Sequence, residues 1–268
     1  MRAAVARAVT VAGMDAEHRR RYLHAMGVQV WRNREPCVEA VEPGAERRDA
    51  AHAETRLGAE PGAPPTPVSA GELLPPVPSD ASSVQGDDWE QLQTRVAGCR
   101  ACGLCRTRTQ TVFGVGHREA DLMVIGEAPG ADEDREGEPF VGRAGQLLNL
   151  MLEAIGLRRQ DVYIANILKC RPPRNRDPEP EEARSCRPFL MRQIELVQPR
   201  ILLSVGRISA QNLLDTDTQI GRLRGHWFKL GPDQRPLMVT YHPAYLLRSP
   251  EQKARVWRDL VAVARKLK

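Results

Sequence analysis

The chain has 268 residues, six of them cysteine, and a formal net charge of +5. That length suits one ordinary α/β domain plus an extension, and no apolar run approaches the ~18 residues of a membrane span. Residues 1–85 carry net −1 and residues 86–268 net +6, so the folded part is expected to be the basic part, a modest nucleic-acid signal written mostly in arginine.

The N-terminus is rich in Arg and Ala and lacks the continuous apolar core of a secretory signal. Cysteines without an export signal point to a reducing compartment, and to metal or cluster ligation before disulfides. The first apolar island, Arg19–Arg34 (RRRYLHAMGVQVWRNR), sets Tyr22, Leu23, Met26, Val28, Val30 and Trp31 among arginines. It reads either as a helix docking on its own domain or as a partner-binding peptide on a tether, occupying residues 1–35. Residues 36–85 hold nine prolines and no Phe, Trp, Tyr, Ile or Met. Such a stretch cannot bury enough apolar surface to offset its ordering entropy. Residues 36–87 are therefore expected to be a disordered linker, and residues 88–268 the folded domain.

Trp89–Gly98 reads as a short amphipathic helix. Asp121–Gly126 (DLMVIG) predicts a buried strand, Gly142–Ile155 a helix, Val162–Leu168 a second strand and Glu179–Val197 a helix entered after prolines. Arg200–Val205 (RILLSV) predicts a third strand, followed by a helix to Leu214. Leu237–Tyr241 predicts a fourth strand ending in His242-Pro243, and Pro250–Leu267 a last helix. Strands alternating with helices imply an α/β fold, a parallel sheet with helices on both faces. Ligands of such sheets bind beyond the carboxyl ends of the strands. Gly126–Gly130 (GEAPG), Asn166 and His242 all fall at such ends, which places them in one site.

Cys99-x2-Cys102 is a common chelating pair, and Cys170 and Cys186 bring the soft ligands to four. Four thiolates suit tetrahedral zinc or an iron–sulfur cluster, and spacing does not separate the two. Such a centre would fasten the GEAPG segment at both ends. Cys105 is a candidate fifth ligand or a small buried residue, and Cys37 lies in the linker.

These motifs together resemble the family 4, iron–sulfur branch of the uracil-DNA glycosylases. The resemblance covers about residues 95–265. It rests on CRAC with T-x-T-V-F-G at Thr109–Gly114, GEAPGADEDREGEPFVGRAGQLLN at Gly126–Asn149, ANILKCRPPRNR at Ala165–Arg176 and HPAYLLR at His242–Arg248. It implies a three-layer α/β/α domain with a four-stranded parallel sheet, a structural [4Fe-4S] cluster on Cys99, Cys102, Cys170 and Cys186, and excision of uracil from DNA by a monomeric cytoplasmic enzyme working at the nucleoid. A sister branch traps uracil through a histidine in a KRRIH-type loop; the corresponding RPPRNRDPEPEEARSC has none. Ala128 stands where the major branch has the Asp of G-Q-D-P-Y. No lysine in these motifs is an obvious Schiff-base nucleophile, so lyase activity is not expected. The Arg19–Arg34 island in turn resembles the N-terminal peptide of the psi subunit of the bacterial clamp loader, which implies contact with the replication machinery.

The chemistry assigns roles. Cleaving deoxyribose C1′ from uracil N1 makes the sugar cation-like and the base anion-like, and both charges need a site that excludes water. The family pattern sets Phe140 against the flipped base, where the residues alone equally fit core packing. Asn166 can bond uracil O4 and N3–H, which cytosine would leave unpaired; its alternative is a turn cap. His242 can donate to O2, charged or neutral, or be merely structural. Either Glu127 or Glu133 could position the attacking water or favour the sugar cation; the family pattern favours Glu127 for the water and Glu133 for a pocket wall near C5, while Asp132 and Asp134 are expected to be solvated. Gly126, Gly130 and Gly142 would let backbone approach the base or its phosphate, and Ala128 is expected among the substrate-binding residues. Leu246 or Leu247 would wedge into the base stack with Arg248 on phosphate. Arg171, Arg174 and Arg176 are expected to contact phosphates beside the cluster or to be surface charge.

Overall fold

The computed structural model describes residues 84–268 together with Arg20 and His24, both helical and exposed. The remainder of the Arg19–Arg34 island, and the linker as far as residue 83, lie outside the described residues. Packing begins slightly before the expected boundary at Asp88, because Val84 and Asp87 are already buried.

The four predicted strands form the parallel centre of the sheet. The strands are β1 (Val115–Gly116), β2 (Leu122–Gly126), β3 (Tyr163–Asn166), β4 (Ile201–Val205), β5 (Trp227–Leu230) and β6 (Arg235–Thr240). Their order is β1-β3-β2-β4-β6-β5, with β3, β2, β4 and β6 mutually parallel. The sheet is therefore six-stranded rather than four-stranded, because β1 and β5 add antiparallel edges. β1 has two residues and β5 four, too short for periodicity to announce them. The central strands are apolar on both faces, as a sheet covered by helices requires.

The helices are α1 (Trp89–Gly98), α2 (Ala131–Glu136), α3 (Arg143–Glu153), α4 (Pro180–Val197), α5 (Arg207–Leu214), α6 (Ile220–Leu223), α7 (Pro243–Arg248) and α8 (Lys253–Leu267). One face of the sheet (Leu122, Val124, Ile164, Leu203) packs on α3 and α8 through Leu148, Leu152, Leu260 and Val263. The other (Met123, Ile125, Ala165, Leu202) packs on α4 and α5 through Leu190, Ile194 and Leu213. The layers are thus α/β/α, as expected. No helix among the described residues is long and apolar enough to cross a membrane.

Connections from β2 and β4 leave in opposite directions, β2 towards β3 and β4 towards β6. A crevice therefore opens at the carboxyl ends of β2 and β4. Glu127 follows β2 and Gly206 follows β4, so both stand at its mouth. β3 stops at Asn166 instead of running to Leu168, because Ile167 and Leu168 turn to donate their N–H groups to Gly126 and Glu127 carbonyls at 3.0 Å each.

Candidate active site

Gly126 ends β2 beneath two side chains. A Cβ there would overlap Asn166 Oδ1 and the Phe140 ring, so only glycine allows both to sit over the strand end. Phe140 is 6% exposed and stacks on the imidazole of His242, centroids 5.5 Å apart and planes at 29°. Phe140, Asn166 and His242 thus converge, although they come from three separate segments. Phe140 holds a left-handed φ of 56°, a strained state for an aromatic residue. Arg159 keeps it there by donating to the Phe140 carbonyl at 3.2 Å and the Pro139 carbonyl at 2.6 Å.

Asn166 is 2% exposed and its Oδ1 is buried with no hydrogen-bond partner. An orphaned carboxamide oxygen costs about 1–3 kcal/mol, and it is a ready acceptor for an N–H of a ligand. His242 caps α7: its Nδ1 accepts the Ala244 N–H at 3.1 Å. Burial, then the Arg248 charge, pushes its pKa down to about 4. The ring is therefore neutral near pH 7, and with Nδ1 accepting, its proton sits on Nε2 as a free donor. Gly206, at φ 102°, brings the β4 end within 3.0 Å of His242 Cβ for any side chain placed there.

Glu127 is half-buried, and its carboxyl is pushed up to about 7, first by burial and then by the Asp177 charge, against the opposing Arg207. Asp177 and Arg207 form an ion pair beside it. Glu133 is committed to backbone: its oxygens accept Gly130 N–H at 3.0 Å, Val141 N–H at 3.0 Å and Gly142 N–H at 3.2 Å. It laces the GEAPG loop to the loop carrying Phe140. Asp132 is exposed as expected, but Asp134 is 3% exposed and accepts the Thr109 N–H at 2.9 Å, so it is a buried tether and not a solvated charge.

Cys99 closes α1, Cys102 opens the 3-10 turn Gly103–Arg106, Cys170 follows β3 and Cys186 lies in α4. All four, with Cys105, line one pocket. Lys169 N–H donates to Cys186 Sγ at 3.2 Å, and Arg108 Nη1 to Cys170 Sγ at 2.9 Å. Burial above all, with smaller contributions from facing thiols, pushes Cys170 up to about 11 and Cys186 up to about 12. Five cysteines around one pocket bring together soft sulfur donors, the ligand type of thiolate metal and cluster sites. Among the described residues no three Cys, His, Asp or Glu groups converge closely enough to grip a single ion.

Of the candidate phosphate contacts, Arg174 and Arg248 are exposed. Arg171 is partly exposed and donates to Asn175 Oδ1 at 2.7 Å. Arg176 is occupied: its guanidinium forks onto Glu182 at 2.9 and 2.6 Å and pairs with Glu179 at 3.0 Å. Leu246 is 1% exposed and part of the core, so it cannot wedge into DNA; Leu247, 38% exposed, is the only exposed large hydrophobic side chain among the described residues. Ala128 packs beside the cysteine cluster.

Sequence reasoning missed Arg159, Arg108, Lys169 and Gln193. Lys169 had a signal, a cation closing the apolar run YIANIL just before Cys170. It is 1% exposed, and burial lowers its ammonium to about 8 against the pull of Cys186 and Cys170. The other three are ordinary surface residue types whose partners lie far away in sequence.

Fold and site define an α/β protein in which an aromatic ring, an imidazole and an unpartnered carboxamide oxygen meet at a switch point, with a thiol-lined pocket elsewhere in the same domain. The profile of the uracil DNA glycosylase superfamily matches residues 113–261. The Type-4 uracil-DNA glycosylase of Archaeoglobus fulgidus is 46% identical over 168 residues, 60% of this chain and 84% of that protein. Those of Pyrobaculum aerophilum and Thermotoga maritima are 40% and 42% identical, over 65% and 62% of this chain and 91% and 86% of their own lengths. The chain belongs to the uracil DNA glycosylase superfamily.

Proposed function

We propose that the chain is a monofunctional uracil-DNA glycosylase of base excision repair, hydrolysing the N-glycosidic bond of uracil flipped from DNA and leaving an abasic site. The observation that carries this reading is the buried, unpartnered Oδ1 of Asn166 beside Phe140 and His242. Uracil N3–H donates to that oxygen, and the amide nitrogen donates to O4; cytosine, with N3 an acceptor and N4 a donor, leaves buried groups unpaired. Phe140 stacks on the base. His242, neutral, donates from Nε2 to O2 as negative charge develops there. Glu127, as carboxylate, positions water towards C1′ and favours the sugar cation. Glu133, Gly130 and Gly142 hold the pocket's loops in register.

Cys99, Cys102, Cys170 and Cys186 would hold a [4Fe-4S] cluster, a reading supported by their soft donor chemistry and by their lining one pocket. When bound, the cluster would supply a cross-link between α1, the loop after β3 and α4, a structural role apart from bond cleavage. Arg171, Arg174 and Arg248 contact phosphates, and Leu247 fills the gap left by the flipped nucleotide. Residues 88–268 are the catalytic domain, preceded by a linker at 36–87 and a partner peptide at 1–35 directed to the clamp loader. The enzyme acts as a monomer on the cytoplasmic nucleoid.

Incubation with a uracil-containing oligonucleotide followed by alkali tests the reading: strand breakage at uracil supports it. A colourless, zinc-containing protein that binds the oligonucleotide without breakage would replace it with a non-catalytic binding module.

A further inference from the structure

We propose that Lys169 is a positioning residue for uracil reading: it ties the strand end that carries Asn166 to the helix that carries Cys186, so that the base pocket and the thiol centre are set as one unit. This rests on Asn166 reading uracil. Lys169 reaches both sites with separate groups. Its backbone N–H donates to Cys186 Sγ at 3.2 Å. Its Nζ turns back three residues and donates to the Asn166 carbonyl at 3.0 Å and to Gln193 Oε1 at 2.6 Å. Gln193 lies two turns beyond Cys186 on α4. Its Nε2 donates to the Phe113 carbonyl at 2.9 Å and to the Tyr163 hydroxyl at 3.2 Å. Tyr163 and Asn166 are the two ends of β3. The result is a closed polar circuit, β3 to Lys169 to α4 and back to β3, with Lys169, Gln193 and Tyr163 each at most 1% exposed.

Packing alone does not call for an ammonium here; methionine has similar reach and no desolvation penalty. The amine matters because the Asn166 carboxamide oxygen has no partner of its own before a base arrives. Its direction is set from the backbone side, by β3 pairing with Gly126 and by Lys169 on its carbonyl. A base-reading amide that must be placed before binding is more effective when its supports are rigid.

The test is a double-mutant cycle on the full chain carrying its iron, with Lys169→Met, Asn166→Ala and both together. Iron content and visible absorption are recorded beside single-turnover uracil excision. Lys169→Met is expected to keep iron and colour, to slow excision at saturating DNA by about tenfold or more, and to leave the half-saturating DNA concentration within about twofold. In the Asn166→Ala background it should add no more than about a twofold loss, because the two act as one. An unchanged rate, or the same loss in both backgrounds, overturns the proposal. Should Lys169→Met lose its iron or its cooperative unfolding, Gln193→Met enters the same cycle and the same outcomes decide. Wild type that leaves uracil intact would overturn the functional reading itself, whereas Asn166→Ala with full activity would overturn the role of Asn166 and this proposal with it while leaving the activity standing; neither resembles an additive cycle.

Discussion

Asn166 pairs a functional gain with a structural liability. Its orphaned Oδ1 means that truncation removes an unsatisfied buried acceptor along with the proposed base reader. Asn166→Ala should therefore slow uracil excision by about a hundredfold or more, while thermal unfolding of the free protein stays unchanged or rises slightly. Parallel kinetics and melting curves check both. The two titrating groups predict a pH profile. In the proposed role Glu127 acts as a carboxylate, so kcat/KM should climb through about 7 and lose that limb in Glu127→Gln. Its raised pKa stabilises the fold fully below the ordinary value of 4.5, and that contribution disappears as pH rises through about 7. Glu127→Gln should thus melt progressively above wild type between pH 5 and 8. His242 runs the opposite way: depressed from 6.5 to about 4, its contribution is present above 6.5 and is lost as pH falls towards 4. It adds no limb to the rate profile near neutrality. The adjacent leucines divide cleanly by exposure. Leu246→Ala should destabilise the protein by about 2–5 kcal/mol, whereas Leu247→Ala should leave Tm alone and weaken excision from duplex more than from single-stranded DNA.

The elements explain why short loops carry so much of the site. α2 and the GEAPG loop have little core of their own, and Glu133 and Asp134 hold them by accepting backbone N–H groups from loops on either side. The thiol pocket works on a larger span, joining the end of α1, the segment after β3 and the first half of α4. With the proposed cluster bound, removing one ligand would unfasten all three. Cys170→Ser should lose iron and visible colour together with stability, on the order of several kcal/mol. Iron analysis beside a denaturant melt decides it, and a stable, iron-free, active variant would show that the centre is dispensable. Pro188 lies inside α4, a position that sacrifices a helix hydrogen bond. Burial of Phe189, Leu190 and Ile194 along the same stretch offsets that loss.

For the molecule as a whole, charge sets the encounter with DNA. Residues 86–268 carry net +6, yet many arginines are already paired inside the protein. Arg174 is exposed and sits in a left-handed turn that presents it outward, whereas Arg176 is consumed by Glu182 and Glu179. Arg174→Ala should lower the slope of log K against log salt by about 1 across DNA sequences. Arg176→Ala should leave that slope alone and fray the start of α4, as binding titrations at several salt concentrations with circular dichroism would reveal.

The parallel strands β2, β3, β4 and β6 were legible because each is a short apolar run between turn signals, and their carboxyl ends named Asn166 and His242 without any coordinates. The cysteine set was legible because thiols are rare and their chemistry narrow. The edge strands, the choice of Leu247 over Leu246, the commitment of Arg176 and Glu133 to internal contacts, and the Lys169–Gln193 circuit were not. Each depends on which side chains meet across tens of residues, and burial, occupancy of a hydrogen-bonding group and a shifted pKa are properties of those meetings, absent from a one-dimensional pattern until the chain has closed on itself.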